Sequence, residues 1–587
     1  MNENNNGNNK YIRYLLLPLP YIIITAIWLY FAIIHPLPFW QEIGDYPWDS
    51  LSQAFTLESK LAGHSASNFN YHIHPGIPFA FASWIAFRMA TLGLHNAEER
   101  ITYVISNPEN FWFWAKTIAL SLNLLGVYLI QCMYRKNLGL FFLGTTIYFS
   151  AVPAAFGISL LQLSNESFAL IQIILFYFLT YLFFKYFINS KIESDSKTKS
   201  NSTLYILSIL LGSLSALGWS IKIYYVAPSI GLLLGFITSL VLGLCDKKLA
   251  FRLILFFLTS FILVETLIIF SIMGWSAFTN WVKWNWEMIT HVKRYGNGEK
   301  GFMRLSLAKR AIESLSYSTK GTFPFVFVSV IGVVLFTFFR FSKNKSFFFE
   351  NLPFLVTIFS GITINFIGLI KHYSPLSQHY ALPVVASLIP MLLIVQSGNF
   401  NRQIFLIGNF IFIIPFLINL IGYSNIQKFS LQFAEASIRD SKYIDTLPIH
   451  RNERRVWGYF TPINAGIIPM INQYAGSSFV SKVINKSCNP IDITPNMEPD
   501  TKRWRYVIFP KTYYPTLASL SKNFPKMFDF AITKFSLHNT DKITDLETLF
   551  LLTRSIGINK NIDNSRNNNQ GFYGNSTRKI GCKRLSP

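Results

Sequence analysis

Apolar runs about twenty residues long recur along this chain, separated by short polar loops, and they decide what it can fold into. In hydrocarbon every backbone N–H and C=O must be satisfied internally, which leaves helices or a closed barrel. The runs are too long and continuous for barrel strands, which alternate over about ten residues. A helix crossing a bilayer needs roughly 20 apolar residues. Runs that meet this lie near 14–34, 111–133, 139–158, 168–188, 203–219, 225–244, 252–273, 321–340, 352–370, 380–396 and 404–423, about eleven in all. One more stretch, 76–94, carries Arg88 mid-run and Pro78 near its start. It reads as a helix lying at the outer membrane surface. Composition agrees, since 14% of residues are charged and 51% hydrophobic, where a soluble chain carries about 25% charge.

The formal net charge is +23. Much of it sits in short loops, at Arg135 and Lys136, Lys191 to Lys199, Asp246 to Arg252, Arg340 to Lys345, and Arg402. With 76–94 not spanning, these loops share one side with Lys10 and Arg13, as the positive-inside rule asks of the cytoplasm. The N-terminus is then inside and the C-terminus outside. No nucleic-acid-binding motif accompanies the charge, so nucleic acid is not an expected partner; membrane lipids are. The four cysteines show no metal-ligand spacing.

The expected fold class is an all-α polytopic membrane protein with a small C-terminal α/β soluble domain. Residues 1–13 read as a disordered cytoplasmic N-terminus. Residues 14–423 form the transmembrane domain, with outer loops at 35–110 and 274–320. Residues 424–556 read as an extracytoplasmic domain, with strand-like runs at Val456 to Phe460 and Trp504 to Phe509. Residues 557–587 form a disordered basic tail.

The first outer loop is the richest in chemistry. It contains Asp45, Asp49, Ala54, Gly63, His72, His74, Pro75 and Gly76. A carboxylate there could deprotonate an acceptor hydroxyl as general base. The alternative is an ordinary polar loop in which Asp49 caps a helix. An acidic residue soon after the first span, then Ala, then Gly, then His-Pro before an apolar helix resembles the GT-C superfamily of membrane glycosyltransferases. Protein O-mannosyltransferases and lipid A aminoarabinose transferases are nearest in style. Asn165-Glu166, the segment from Leu214 through Gly218 to Lys222, and His379-Tyr380-Ala381-Leu382-Pro383 are similar to further segments of that family in its order. The resemblance covers roughly 14–425. His379 stands where the family usually has Arg, Gly76 where a second Pro is common, and Glu166 where Asp is commoner.

What the resemblance implies is inverting transfer of a sugar from a polyprenyl-phosphate donor to an acceptor hydroxyl on a glycan, lipid or protein. Asp49 would be the base, with Asp45 its competitor; the spacing to Ala54 and Gly63 favours Asp49. The leaving phosphate needs a positive partner. A divalent metal ion (Mg2+, Mn2+ or Zn2+) held by Glu166 with His72 or His74 would supply it, or Lys222, or Lys371 with His379 and Tyr380. Against these roles, Glu166 could serve only as a helix cap, the histidines as interfacial hydrogen-bonders, and Lys222 as a snorkelling side chain. The 274–320 loop carries Trp275, Trp281, Trp284 and Trp286 among basic residues, an anchor belt or, at Trp284, a surface for a sugar ring. A transporter or flippase for a lipid-linked saccharide is the main rival, although no internal repeat is visible.

Overall fold

The structure is a computed structural model of the 587-residue chain. It describes residues 16–39, 46–64, 76–192, 197–244, 246–268, 275–291, 300–301, 305–372, 378–398, 402–446, 454–456, 477, 479–480, 482–483, 506–510, 542–545 and 549–553. The expected N-terminal and C-terminal tails lie outside these.

The protein is mostly helical. Among the described residues, nine helices are long and apolar enough to cross a membrane. They are the cores of nine of the eleven expected spans, so the chain is a multi-pass membrane protein. The other two are shorter. The first is α1 (Leu19–Leu29), continued by a wider π turn over Tyr30–Ile34. The stretch expected to lie on the surface is α3 (Ile77–Ala90), 14 residues long. It follows α2 (Tyr46–Leu61) and precedes α4 (Ala97–Ser106) and α5 (Pro108–Met133).

The expected span over 139–158 is corrected by a break. Helix α6 (Leu138–Ala151) stops before Val152, which is extended, and Pro153 cannot continue a helical ladder. A π turn over Ala155–Leu160 follows. Irregular backbone at membrane depth is tolerated only where protein covers it, and from Ala154 to Ser167 every residue is buried. The last carbonyls of α6 find partners in distant helices. Asn419 Nδ2 donates to the Ser150 carbonyl at 2.7 Å, and Thr322 Oγ1 to that of Ala151 at 2.9 Å.

The chain divides into two compact units. The first comprises Met1–Pro36, Asn68–Ala86 and Phe113–Ile426. It holds α7 (Ala169–Ile192), α8 (Lys197–Ile221), α9 (Ala227–Val241), α10 (Lys247–Ile268), α11 (Trp275–Thr290), α12 (Leu305–Ser318), α13 (Thr322–Phe341), α14 (Lys345–His372) and α15 (Leu382–Ser397). Helix α15 is its centre. Every residue from Leu382 to Val395 is buried, as expected of a helix apolar on all faces. It packs against α7, α6, α13 and α14. Helix α10 is the opposite case, with Phe251, Leu255, Ile262 and Leu267 exposed to the surroundings that the bilayer supplies. The last helix, α16 (Arg402–Thr446), runs 45 residues, about 67 Å at 1.5 Å per residue, so the span expected over 404–423 is only part of it.

The second unit comprises Leu37–Ser67, Phe87–Trp112 and Gln427–Pro587. Its described strands are β1 (Arg454–Val456), β2 (Tyr506–Pro510), β3 (Lys542–Asp545) and β4 (Leu549–Thr553), paired in the order β1-β2-β4-β3. β1 and β2 are parallel and the other pairs antiparallel. Most of the residues that connect the strands lie outside the described ones, so the expected C-terminal α/β domain is not established beyond these pairings. Helix α2 buries Leu51, Ala54 and Phe55 completely. It ends at Gly63, whose φ of 81° suits glycine, with His64 N–H returning to the Ser59 carbonyl. Its Glu58 is buried and accepts from Arg100 Nε at 2.7 Å and also from Arg100 Nη2.

Candidate functional site

Three helices of the first unit begin in the same way. Short 3-10 turns over Asn165–Phe168, Ile223–Val226 and Gln378–Ala381 lead into α7, α9 and α15. Pro228 and Pro383 occupy the first turns of α9 and α15, where a missing N–H costs nothing. The residues at these three starts meet around one carboxylate.

Glu166 is fully buried. Lys222 Nζ donates to its Oε1 at 2.6 Å, and Tyr224 Oη to the same oxygen at 2.7 Å. His379 Nε2 lies 3.9 Å from that oxygen. The Lys222 ammonium also lies 5.0 Å from the Tyr380 ring centre and 5.4 Å from that of Tyr224, a cation with aromatic walls. Oε2 of Glu166 is buried and has no hydrogen-bond partner among the described residues.

The local sequence explains how Glu166 is aimed. Ser164 caps the turn by accepting from the Ser167 N–H, and Ser167 Oγ accepts from the Ser164 N–H. Glu166 is therefore not the cap. Behind it, Tyr148 Oη donates to Ser159 Oγ at 2.8 Å and Asn123 Nδ2 to the Ser159 carbonyl at 2.7 Å, which fixes the irregular segment. Asn165, next to Glu166, lies against Gly76. A Cβ built on Gly76 would stand 2.2 Å from Asn165 Oδ1, so this position leaves no room for a side chain. Gly218 serves similarly, since a Cβ there would meet Gln172 Nε2 at 2.5 Å and the Tyr225 carbonyl at 3.0 Å.

Of the residues selected from sequence, Glu166, Lys222, His379 and Tyr380 are brought together. Lys222 is buried, so the snorkelling alternative does not describe it. Lys371, at the end of α14, donates through Nζ to the Ile289 carbonyl of α11. Trp284 lies in α11, with its side chain outside the described ones. Asp49 belongs to the second unit. It is half-buried in the first turn of α2, three residues past the helix start, so it is not the N-cap. There it faces the positive end of the helix dipole. Asp45, His72 and His74 lie outside the described residues. Sequence reasoning missed Tyr224 and Glu58. Tyr224 had a signal, a phenol two residues after a lysine in an apolar stretch.

The metal set expected at Glu166 includes His72 or His74, which lie outside the described residues. Among the described residues no group of three His, Cys, Asp or Glu could hold a metal ion. The carboxylate accepts from an ammonium and a phenol through Oε1. No family model, no curated protein and no solved structure matches the chain.

Proposed function

We propose that this protein is a membrane glycosyltransferase that moves a sugar from a polyprenyl-phosphate donor to an acceptor hydroxyl, with inversion, on the extracytoplasmic face of a bacterial inner membrane. The observation that supports this reading most is the meeting of Glu166, Lys222 and His379-Tyr380. These are three of the four segments whose resemblance to GT-C enzymes is legible in sequence, and they converge on one carboxylate. Ionisable groups buried in a membrane protein are expensive and mark function by default.

In the proposed reaction the acceptor oxygen attacks the anomeric carbon. The bond from that carbon to the phosphate oxygen breaks, and the lipid phosphate leaves with the electron pair. Asp49 takes the acceptor proton, an assistance worth roughly 10²–10⁴ in rate; Asp45 is the alternative base. Lys222 meets the phosphate as a compact charge, and Tyr380 and His379 flank it. Trp284 is assigned to the sugar and the C-terminal region to the acceptor.

The test is transfer from a panel of polyprenyl-phosphate sugars by the full chain in nanodiscs, beside Asp49→Asn. Donor-dependent release of lipid phosphate, lost in the variant, is expected. Release that survives Asp49→Asn moves the base to Asp45, and no release with any donor and acceptor counts against transfer. A second reading, carriage of a lipid-linked saccharide, is favoured by the buried ion pair beside broken helices. It predicts binding without turnover.

A further inference from the structure

We infer that helix α11 (Trp275–Thr290) lies in the surface layer of the bilayer, with Val282, Trp286 and Ile289 seated among the lipid chains just below the headgroups. The inference is independent of the transferase reading. Those three side chains, at i, i+4 and i+7, make one stripe along the helix. All three are exposed, Trp286 at 65%. The buried side of α11 carries Asn285, at 3%, and Met288. A helix on a water-facing surface does the reverse, burying its apolar stripe and showing its amide to solvent. An amide turned in and a Val-Trp-Ile stripe turned out is the arrangement that a lipid surround stabilises.

The next helix is the water-facing counterpart. α12 packs on α14 and α13, buries Ala311 and Leu315, and turns out Arg310 together with the exposed ion pair of Lys309 and Glu313. The place of α11 in the chain agrees with lipid. The span before it ends at Ile268, and the span after α12 begins at Thr322. Lys371 Nζ, at the end of the span in α14, donates to the Ile289 carbonyl. Alternation of spans puts these three ends on one side of the membrane, so α11 is fixed at a bilayer surface. Trp suits that depth, with an apolar body and one N–H for water or a headgroup. Lys283, exposed beside the stripe, carries its ammonium to the lipid phosphates on an apolar stem. Three side chains offer far less than the roughly 800 Å² per partner of a stable protein interface, so lipid and not a second copy covers them.

The test is photo-cross-linking of the full chain in nanodiscs, with p-benzoylphenylalanine in place of Trp286, of Leu255 in α10 or of Lys309 in α12, one position at a time. Leu255 is exposed within a span and calibrates contact with lipid; Lys309, 80% exposed, calibrates contact with water. Mass spectrometry of the labelled peptides reads the yield of lipid adduct. At Trp286 it is expected within about threefold of that at Leu255 and at least about tenfold above that at Lys309, as for a side chain buried in the headgroup and acyl boundary. The probe in place of Val282 is measured beside it, so that a fold disturbed at one position does not decide the result. Adducts between two chains at both positions would mean that a second copy covers the stripe. Lipid yields no higher than at Lys309 would mean that the stripe faces water. Either result overturns the inference and leaves the transferase reading untouched.

Discussion

The Lys222 ammonium lies 2.6 Å from Oε1 of Glu166, across 56 residues of chain, and both side chains are buried. A buried pair of this kind is weak support for stability as a pair, yet breaking it is severe. Lys222→Met is expected to destabilise by about 3–5 kcal/mol, because an uncompensated carboxylate remains. The double variant Glu166→Gln with Lys222→Met should recover most of that loss. Thermal unfolding in detergent checks both; equal losses in the two would mean that the pair is not the determinant.

Two glycines should respond differently to alanine. At Gly76 a Cβ meets Asn165 Oδ1, so Gly76→Ala must displace the neighbour of Glu166. A stability loss of about 1–3 kcal/mol is expected, with transfer falling further than stability explains. Gly63 has φ of 81° and nothing within 4 Å of its Cβ position. Gly63→Ala should cost about 1–2 kcal/mol through the backbone alone and leave turnover per folded molecule unchanged. Unfolding and transfer assays on the same preparations separate the two.

The break after Ala151 depends on Asn419. Asn419→Leu removes the donor to the Ser150 carbonyl and leaves that carbonyl buried. The expected penalty is about 1–3 kcal/mol. Asn419→Gln, which keeps an amide, should lose less. Hydrogen exchange over 145–165 should rise in the leucine variant first; unchanged protection there would contradict this role.

In the second unit, Arg100→Met leaves Glu58 with Arg88 Nη1 at 3.5 Å, and Arg88 is substantially exposed. Loss of protection over α2 is expected, at about 1.5–3 kcal/mol for the charged hydrogen bonds from Arg100 to a buried carboxylate. Limited proteolysis of the full chain reports it as faster cleavage within 46–64. Arg88→Met should have a much smaller effect, since exposed pairs contribute about 0–1 kcal/mol.

The sequence by itself determined that this is a multi-pass membrane protein, because hydrocarbon leaves a run of twenty apolar residues few options besides a helix. About eleven spans follow from this, and among the described residues nine helices are long and apolar enough to cross a membrane. The sequence also singled out Glu166, Lys222 and His379-Tyr380 one at a time, through short segments whose order resembles a family. What only the tertiary structure decided is that these residues share one carboxylate, that Tyr224 joins them, and that the span at 139–158 breaks at Val152–Pro153. Apolar periodicity records which residues avoid water but not which polar groups meet. Partners such as Asn419 and Ser150, 269 residues apart, are set by how helices pack. The break survives only because those distant donors satisfy carbonyls that the local sequence leaves without a partner.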